Sequence, residues 1–417
     1  MRTGRNDGAL PCAPAKGVAF TTNYARTARQ FRGHLIGELI SLRLPVHVLA
    51  PDYDAHTREQ VASLGAEPVD VSLRRTGLNP LRDGVDLLGL VDKLRTLDAG
   101  IEFSFGAKAV VLGTLAACLA GVPRRFAMIE GLGSYFITDS EGSAVKKKIV
   151  RRVVECLYWL VLRFNSRVFF LNPDDRAEIT GKGLVKEDRT VLIPGIGVDL
   201  NEFGHVPPHQ DRAAPGLTFL LIARLLKDKG IREYVSAARK VRERYPDVSF
   251  LLVGSLDTNP SAVSADELRH WQDEGVVKWL GVLDDVRSTI ADTDVYVLPS
   301  YREGMPRTVL EALAVGRPII TTDVPGCRET VTRLGGGTTH GLKPGQLPAT
   351  GRLVHCSNGF LVPARDVDAL AEAMERFVVN PELVCRMGAQ SRRLAEERFD
   401  VERVDATILR EMGLSVA

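Results

Sequence analysis

Residues 298–314 read Leu298-Pro-Ser-Tyr-Arg-Glu303-Gly-Met-Pro306-Arg-Thr-Val-Leu-Glu311-Ala-Leu-Ala. The stretch leaves an apolar run over 294–298, crosses a polar loop and enters an amphipathic run over 307–315. A strand that feeds directly into a helix is the joint of a βαβ unit. Pro306 suits a first helical turn, where its missing N–H is not needed. Such a joint sets backbone N–H groups and the positive helix end at the C-terminal edge of a parallel sheet, where a phosphate or another anion is favoured. Glu303 stands in the approach loop and Glu311 lies roughly 8 Å further along by helical rise, so the pair could accept hydrogen bonds from hydroxyls on separated parts of one ligand. A helix-start acid and a solvent-facing glutamate would read the same way.

The same beat runs outward in both directions. Phe219-Leu-Leu-Ile-Ala-Arg224-Leu-Leu-Lys-Asp-Lys229-Gly230-Ile is a strand over 218–222, a cationic loop and a helix over 231–244. Arg224 offers a planar fork and Lys229 a point charge at the same sheet edge as Glu303, a combination that suits a diphosphate, although solvated surface cations are the commoner fate of both residue types. Further strands over 248–253 and 276–280 end at Gly254 and at Leu280-Gly281-Val282, where a glycine admits close backbone approach. Strands over 318–321 and 359–362 and helices over 367–377 and 381–399 complete this half.

Upstream, strands over 17–21, 46–49, 69–71, 100–105 and 125–129 alternate with helices over 29–42, 56–64, 81–97 and 109–120. Alternation on this scale predicts an α/β protein of two doubly wound, Rossmann-like domains with mostly parallel sheets and a ligand between them. Pro and Gly concentrate over 194–216, so the expected organisation is a first domain over 16–193, a linker over 194–216, a second domain over 217–400, and a C-terminal helix within 401–417 that could return to the first domain. Residues 1–15 read as a loose tail and 335–350 as a loop.

Composition narrows the function. The 417 residues are 45% hydrophobic and 25% charged, and 54 Lys and Arg against 52 Asp and Glu leave a net charge of +2, so no overall field recruits nucleic acid. The longest uncharged stretch that could be a span, 109–122, is too short to cross a bilayer, and no apolar run marks a signal peptide, so a cytoplasmic protein is expected. Six scattered cysteines and eight single histidines supply no zinc or redox pair, and no metal site is expected. Asp292-Thr-Asp294 stands before a strand rather than after one, the wrong end for a ligand.

In order along the chain, Arg224…Lys229-Gly230, Val253-Gly254, Leu280-Gly281, Leu298-Pro-Ser, Glu303-x7-Glu311, Asp323-Val-Pro-Gly326-Cys-Arg-Glu329, Asn358-Gly-Phe-Leu-Val-Pro363 and Asp366 resemble the nucleotide-sugar half of family 4 retaining glycosyltransferases with the GT-B fold. Phe31-Arg-Gly33, 48–51, 73–80 and Gly131-Leu-Gly133 resemble more loosely the branch that builds bacterial capsule, O-antigen and exopolysaccharide. The resemblance implies that Arg224 and Lys229 hold the donor diphosphate, that Glu303 contacts the transferred sugar and Glu311 the ribose, that backbone N–H groups of Gly304 and Met305 support sugar and phosphates, and that Gly254 and Pro306 also belong to the donor site. Leu280, Gly281 and Val282 would face the base, and Gly33, in the first N-terminal loop, would let acceptor and phosphate approach. It also implies a retained anomeric configuration, no cofactor, and a UDP-linked hexose or N-acetylhexosamine as donor. The chain departs from the family at Glu130, where many members carry a histidine. An acid there could bond a donor hydroxyl, act as a base or cap the turn.

Lys146, Lys147, Lys148, Arg151 and Arg152 crowd a segment that also carries Cys156-Leu-Tyr-Trp159-Leu-Val-Leu. Such a segment can lie in an anionic membrane interface beside a lipid-linked saccharide acceptor, or it can pack on its own domain with solvated lysines. A nucleotide-sugar epimerase or isomerase and a catalytically silent nucleotide-sugar binder are the readings from other classes.

Overall fold

The computed structural model describes residues 16–73, 79–133, 144–208, 216–257, 259, 261–334 and 353–414, without the side chains of 144–147. The expected tail over 1–15, most of the 73–80 run, the loop over 335–350 and the side chains of Lys146 and Lys147 lie outside this description.

The first series of elements is β1 (Val18–Thr22), α1 (Ala25–Ser41), β2 (Val46–Ala50), α2 (Ala55–Ala62), β3 (Glu67–Asp70), α3 (Pro80–Thr96), β4 (Ile101–Phe105), α4 (Ala107–Ala120), β5 (Arg124–Ile129), α5 (Ala144–Val161), β6 (Arg167–Phe170), α6 (Pro173–Gly181) and β7 (Thr190–Leu192). Its strands are ordered β3-β2-β1-β4-β5-β6-β7, with parallel pairing from β3 through β5. β1 and β4 are buried along their whole length, as strands covered on both faces must be.

The second series is β8 (Thr218–Ile222), α7 (Ile231–Arg244), β9 (Ser249–Val253), α8 (Ala265–Asp273), β10 (Lys278–Trp279), α9 (Arg287–Ala291), β11 (Val295–Leu298), α10 (Arg307–Val315), β12 (Ile319–Thr322), β13 (Val354–Cys356), β14 (Gly359–Val362), α11 (Val367–Val379), α12 (Glu382–Leu394) and α13 (Val401–Glu411). The order β10-β9-β8-β11-β12-β14-β13 is parallel except for β13. Each sheet reverses its strand order beside its first strand, the topological switch that opens a crevice at the carboxyl ends. Phe219, Phe250, Tyr234 and Leu252 anchor the core beneath the second sheet, with Phe219 and Phe250 stacked at 5.2 Å.

Along the chain the segment over 194–216 separates the strands of the two sheets, but packing divides the chain differently. One compact unit is Met1–Met128 with Leu157–Val168, and the other is Ile129–Cys156 with Phe169–Ala417. The turn after β5, the first part of α5, α6 and β7 therefore go with the second sheet. The start of α13 is tied to the segment between the sheets: Val198 N donates to Phe399 O at 2.8 Å and Val401 N to Val198 O at 3.1 Å.

Two local expectations change. Gly33 lies inside α1, against Arg29 and Leu64, in keeping with the helical pattern over 29–42 and not in the first N-terminal loop where the resemblance put it. Pro306 is the residue before α10 rather than its first turn, with φ −75° and ψ 104°.

Candidate active site

β11 is a buried run of Val, Tyr and Leu that stops at Pro299, where the chain turns away from the sheet. Ser300 then points its hydroxyl at Glu303, 2.7 Å from Oε1. The same carboxylate oxygen accepts from Lys229 Nζ at 2.6 Å. Lys229 reaches it because the turn after β8 abuts the turn after β11. Gly230 takes φ +69°, and a side chain there would meet Pro299 O at 2.2 Å, while Tyr301 N donates to Asp228 O at 2.8 Å. Burial works against the Lys229 ammonium, but the Glu303 carboxylate outweighs it and holds the lysine above its ordinary pKa. The charge is kept, and it sits at the carboxyl ends of β8 and β11.

Around this pair the neighbouring strand ends are laced together. Gly254 N donates to Gly281 O at 2.8 Å, Leu280 N to Leu252 O at 2.9 Å, and Trp279 Nε1 to Gly254 O at 3.0 Å. Arg224 extends from the end of β8, half exposed, with Asp257 at 3.4 Å. Val282 is exposed.

α10 opens at Pro306, whose carbonyl accepts from Val309 N at 3.1 Å, and no side chain caps this end. Its positive pole is aimed at the sheet edge. Glu311 is not a solvent-facing acid. It is 5% exposed and accepts from Arg307 Nε at 2.7 Å, and burial raises its pKa against the pull of Arg307. Met305 is buried and packs where a side chain on Gly195 would fall.

Glu130 and Gly131 follow β5 and meet this loop. A Cβ on Gly304 would sit 1.7 Å from Glu130 O, so only glycine lets the two backbones touch. The structure thus gathers Arg224, Lys229, Gly254, Gly281, Glu303, Gly304, Met305, Pro306 and the Glu130 backbone into one unit, whereas Gly33 belongs to the other.

Sequence reading missed the residues on the far side of the loop. Asn172, fully buried before α6, donates from Nδ2 to Gly304 O at 2.7 Å, and Asp175, also buried, pairs with Arg302. Glu178 joins Arg302 at 3.1 Å and Arg151 at 2.7 Å, and Asp174 pairs with Arg328 at 2.9 Å. Asn172-Pro173-Asp-Asp175 signals a helix start, but nothing in it names a partner more than a hundred residues away.

On α5, Arg151 is turned into this network through Glu155 at 3.0 Å and Glu178, while Lys148 and Arg152 are exposed. Glu155 is held below its ordinary pKa: burial opposes this, but Lys182 at 2.6 Å and Arg151 prevail. Among the described residues, no group of three His, Cys, Asp or Glu is placed to hold a metal ion, and no helix is long and apolar enough to cross a membrane.

Residues 216–380 match the model of the glycosyl transferases group 1 family. The chain is 31% identical, over 76% of its length and 82% of the relative's, to N,N'-diacetylbacillosaminyl-diphospho-undecaprenol alpha-1,3-N-acetylgalactosaminyltransferase of Campylobacter jejuni. It is 26% identical, over 78% of each chain, to UDP-Gal:alpha-D-GlcNAc-diphosphoundecaprenol alpha-1,3-galactosyltransferase of Escherichia coli. The fold superposes on the crystal structure of Anabaena HepE in complex with UDP with a TM-score of 0.69 and 17% identity, covering 95% of this chain and 99% of that one. A likeness this long, carried through both halves and not only the 216–380 segment, places the chain among the group 1 glycosyltransferases, enzymes of the GT-B fold.

Proposed function

We propose that the protein is a retaining, metal-independent glycosyltransferase that moves a hexose or N-acetylhexosamine from a UDP-sugar to a diphosphoundecaprenol-linked saccharide during bacterial surface glycan synthesis. The observation that carries this reading is the largely shielded Lys229–Glu303 pair, 2.6 Å apart, beside the uncapped start of α10. A diphosphate arriving there meets a fixed ammonium, the Arg224 fork and the positive end of a helix, all in place before the charge of the leaving group develops. The two relatives support the choice of acceptor: both act on sugars carried by diphosphoundecaprenol.

In the proposed reaction the bond between the sugar C1 and the phosphate oxygen breaks. The acceptor hydroxyl forms its bond to C1 on the same face, and its proton passes to the departing phosphate oxygen. No protein nucleophile and no cofactor is needed. Lys229, Arg224 and the α10 amides stabilise the diphosphate, Glu303 holds the sugar, Glu311 takes a ribose hydroxyl, and Glu130, at the position of the family histidine, bonds a donor hydroxyl.

The acceptor's lipid calls for a membrane contact. Right-handed crossovers put α3, α4 and α5 on one face of the first sheet. Within the first unit this layer exposes Leu81, Val85 and Leu88 at helical spacing, Leu119, Trp159 and Leu160 at the end of α5, and Phe164 in the turn that follows it. Arg163 lies over the Trp159 ring at 3.9 Å. Earlier in α5, Lys148 and Arg152 accompany exposed Ile149 and Val153. Apolar side chains rimmed by cations suit an anionic bilayer surface, here the inner face of the plasma membrane. Lys146 and Lys147 belong to the same reading.

Incubation with a panel of UDP-sugars and a diphosphoprenol-linked saccharide tests the reading. The expected product is a lengthened lipid-linked saccharide with the donor's anomeric configuration. A rearranged nucleotide sugar would show an epimerase, and binding without turnover a silent binder.

A further inference from the structure

The loop that carries Glu303 is held from behind by a helix that belongs to the first sheet by chain order but to the second unit by packing. Asn172 is fully buried, and its amide is used at both ends: Oδ1 accepts from Asp175 N at 2.8 Å and caps α6, while Nδ2 donates to Gly304 O at 2.7 Å and lies 3.5 Å from Glu303 O. One turn along, Asp175 is fully buried against Arg302, and Glu178 accepts from the same guanidinium at 3.1 Å. Burial raises the pKa of Asp175 against the opposing charge of Arg302. Residue 302 is thereby pinned by its side chain and residue 304 by its carbonyl. Glu303, between them, is left to face Lys229 and Ser300.

The geometry points to Asn172 and Arg302 as positioning residues that fix the Glu303-Gly304 turn, and with it the grip on the transferred sugar, through the buried Asn172 amide and the Arg302–Asp175 pair. This rests on the proposed role of Glu303, though its first test does not. A turn that must present a carboxylate to within a few tenths of an ångström gains from being fixed on both sides, because misplacement is felt directly in the reaction rate. α6 is well suited to the task. Its first turn carries Asp174 and Asp175, and Asp174 also holds Arg328, so the helix end is itself anchored.

Asn172→Ser separates positioning from mere folding, since serine still caps α6 but cannot reach the Gly304 carbonyl. Hydrogen exchange of the whole protein should show the amides of 303–305 exchanging about tenfold faster in this variant, with those of 176–181 changed less than about threefold. In turnover with the fastest-reacting UDP-sugar, kcat should fall about tenfold or more while the acceptor KM stays within about threefold. Affinity for UDP alone should be unchanged while affinity for the intact UDP-sugar drops, because only the sugar meets Glu303. Arg302→Lys, which keeps the charge and loses the fork, should give a smaller effect of the same kind. Unchanged exchange at 303–305 in both variants overturns the assignment, as does parallel loosening of α6. Exchange needs no substrate, so failure of the wild-type protein to turn over any UDP-sugar would overturn the proposed function and leave this assignment to be decided by the exchange result.

Discussion

Arg302 and Glu303 are neighbours in the chain, but their side chains leave the backbone toward different charges: Arg302 to the carboxylates of Asp175 and Glu178, Glu303 to the ammonium of Lys229. Two ion pairs of opposite sense thus flank one peptide bond. The turn is held from both sides, and the charge of each member is compensated before any substrate arrives.

Removing either side of the Lys229–Glu303 pair should abolish most turnover. Lys229→Ala leaves the Glu303 carboxylate mostly buried without its cation, so a loss of about a hundredfold or more in kcat/KM is expected together with a stability cost of up to about 3 kcal/mol. Glu303→Ala should cost activity on a similar scale. Steady-state kinetics and thermal melts of the two single variants and the double variant check this. If both single variants turn over near the wild-type rate, Lys229 and Glu303 are not the donor grip.

Gly304→Ala tests the backbone contact with Glu130. The added methyl would lie 1.7 Å from Glu130 O, and the turn must move. Overpacking of this kind costs about 1–3 kcal/mol, so a melting temperature several degrees lower is expected along with a marked fall in kcat. Wild-type values for both would mean the two backbones part without consequence.

The core of the first unit contains an acid whose effect on stability depends on pH. Glu102 on β4 is completely buried, its Oε2 accepts from Ser104 Oγ at 3.2 Å, and its Oε1 has no hydrogen-bond partner among the described residues. Burial pushes its pKa up to about 8, against the hydrogen bond of Ser104 and the charge of Arg125. An acid raised on folding keeps its proton in the native protein after the unfolded chain has lost it. Its contribution to stability is therefore full below the ordinary glutamate range and is lost as pH rises toward 8. Glu102→Gln, neutral at every pH, should melt higher than wild type at pH 8 by a few degrees, with the gap closing toward pH 5. A gap independent of pH would show that Glu102 does not titrate in this window.

Flotation with phosphatidylglycerol vesicles should separate the wild type from Lys148→Glu/Trp159→Ser. At about 1 kcal/mol per surface cation, reversing one charge and removing the indole should weaken binding by at least about tenfold, and neutral phosphatidylcholine vesicles should bind neither protein well. Equal weak binding of both proteins to both vesicles would remove α5 from any role at the bilayer.

What the residues alone determined was the repeating unit. β8, α7, α10 and β14 begin and end where apolar periodicity and turn residues place them, because local propensity and one-sided burial act over a few positions. The ends of those units made Arg224, Lys229, Glu303 and Glu311 readable as candidates, since loops at the carboxyl ends of parallel strands are where ligands bind. Local pattern put Gly33 in a helix, where it lies, and the loop role that the resemblance gave it does not survive; nor could local pattern show that Glu311 is buried against Arg307. It also could not find Asn172, Asp175 and Arg302, whose partners are brought together only by tertiary packing. A hydrogen bond across more than a hundred residues leaves no periodicity in the chain, and the division that puts α6 with the second sheet was set by contacts that exist only once both sheets have formed.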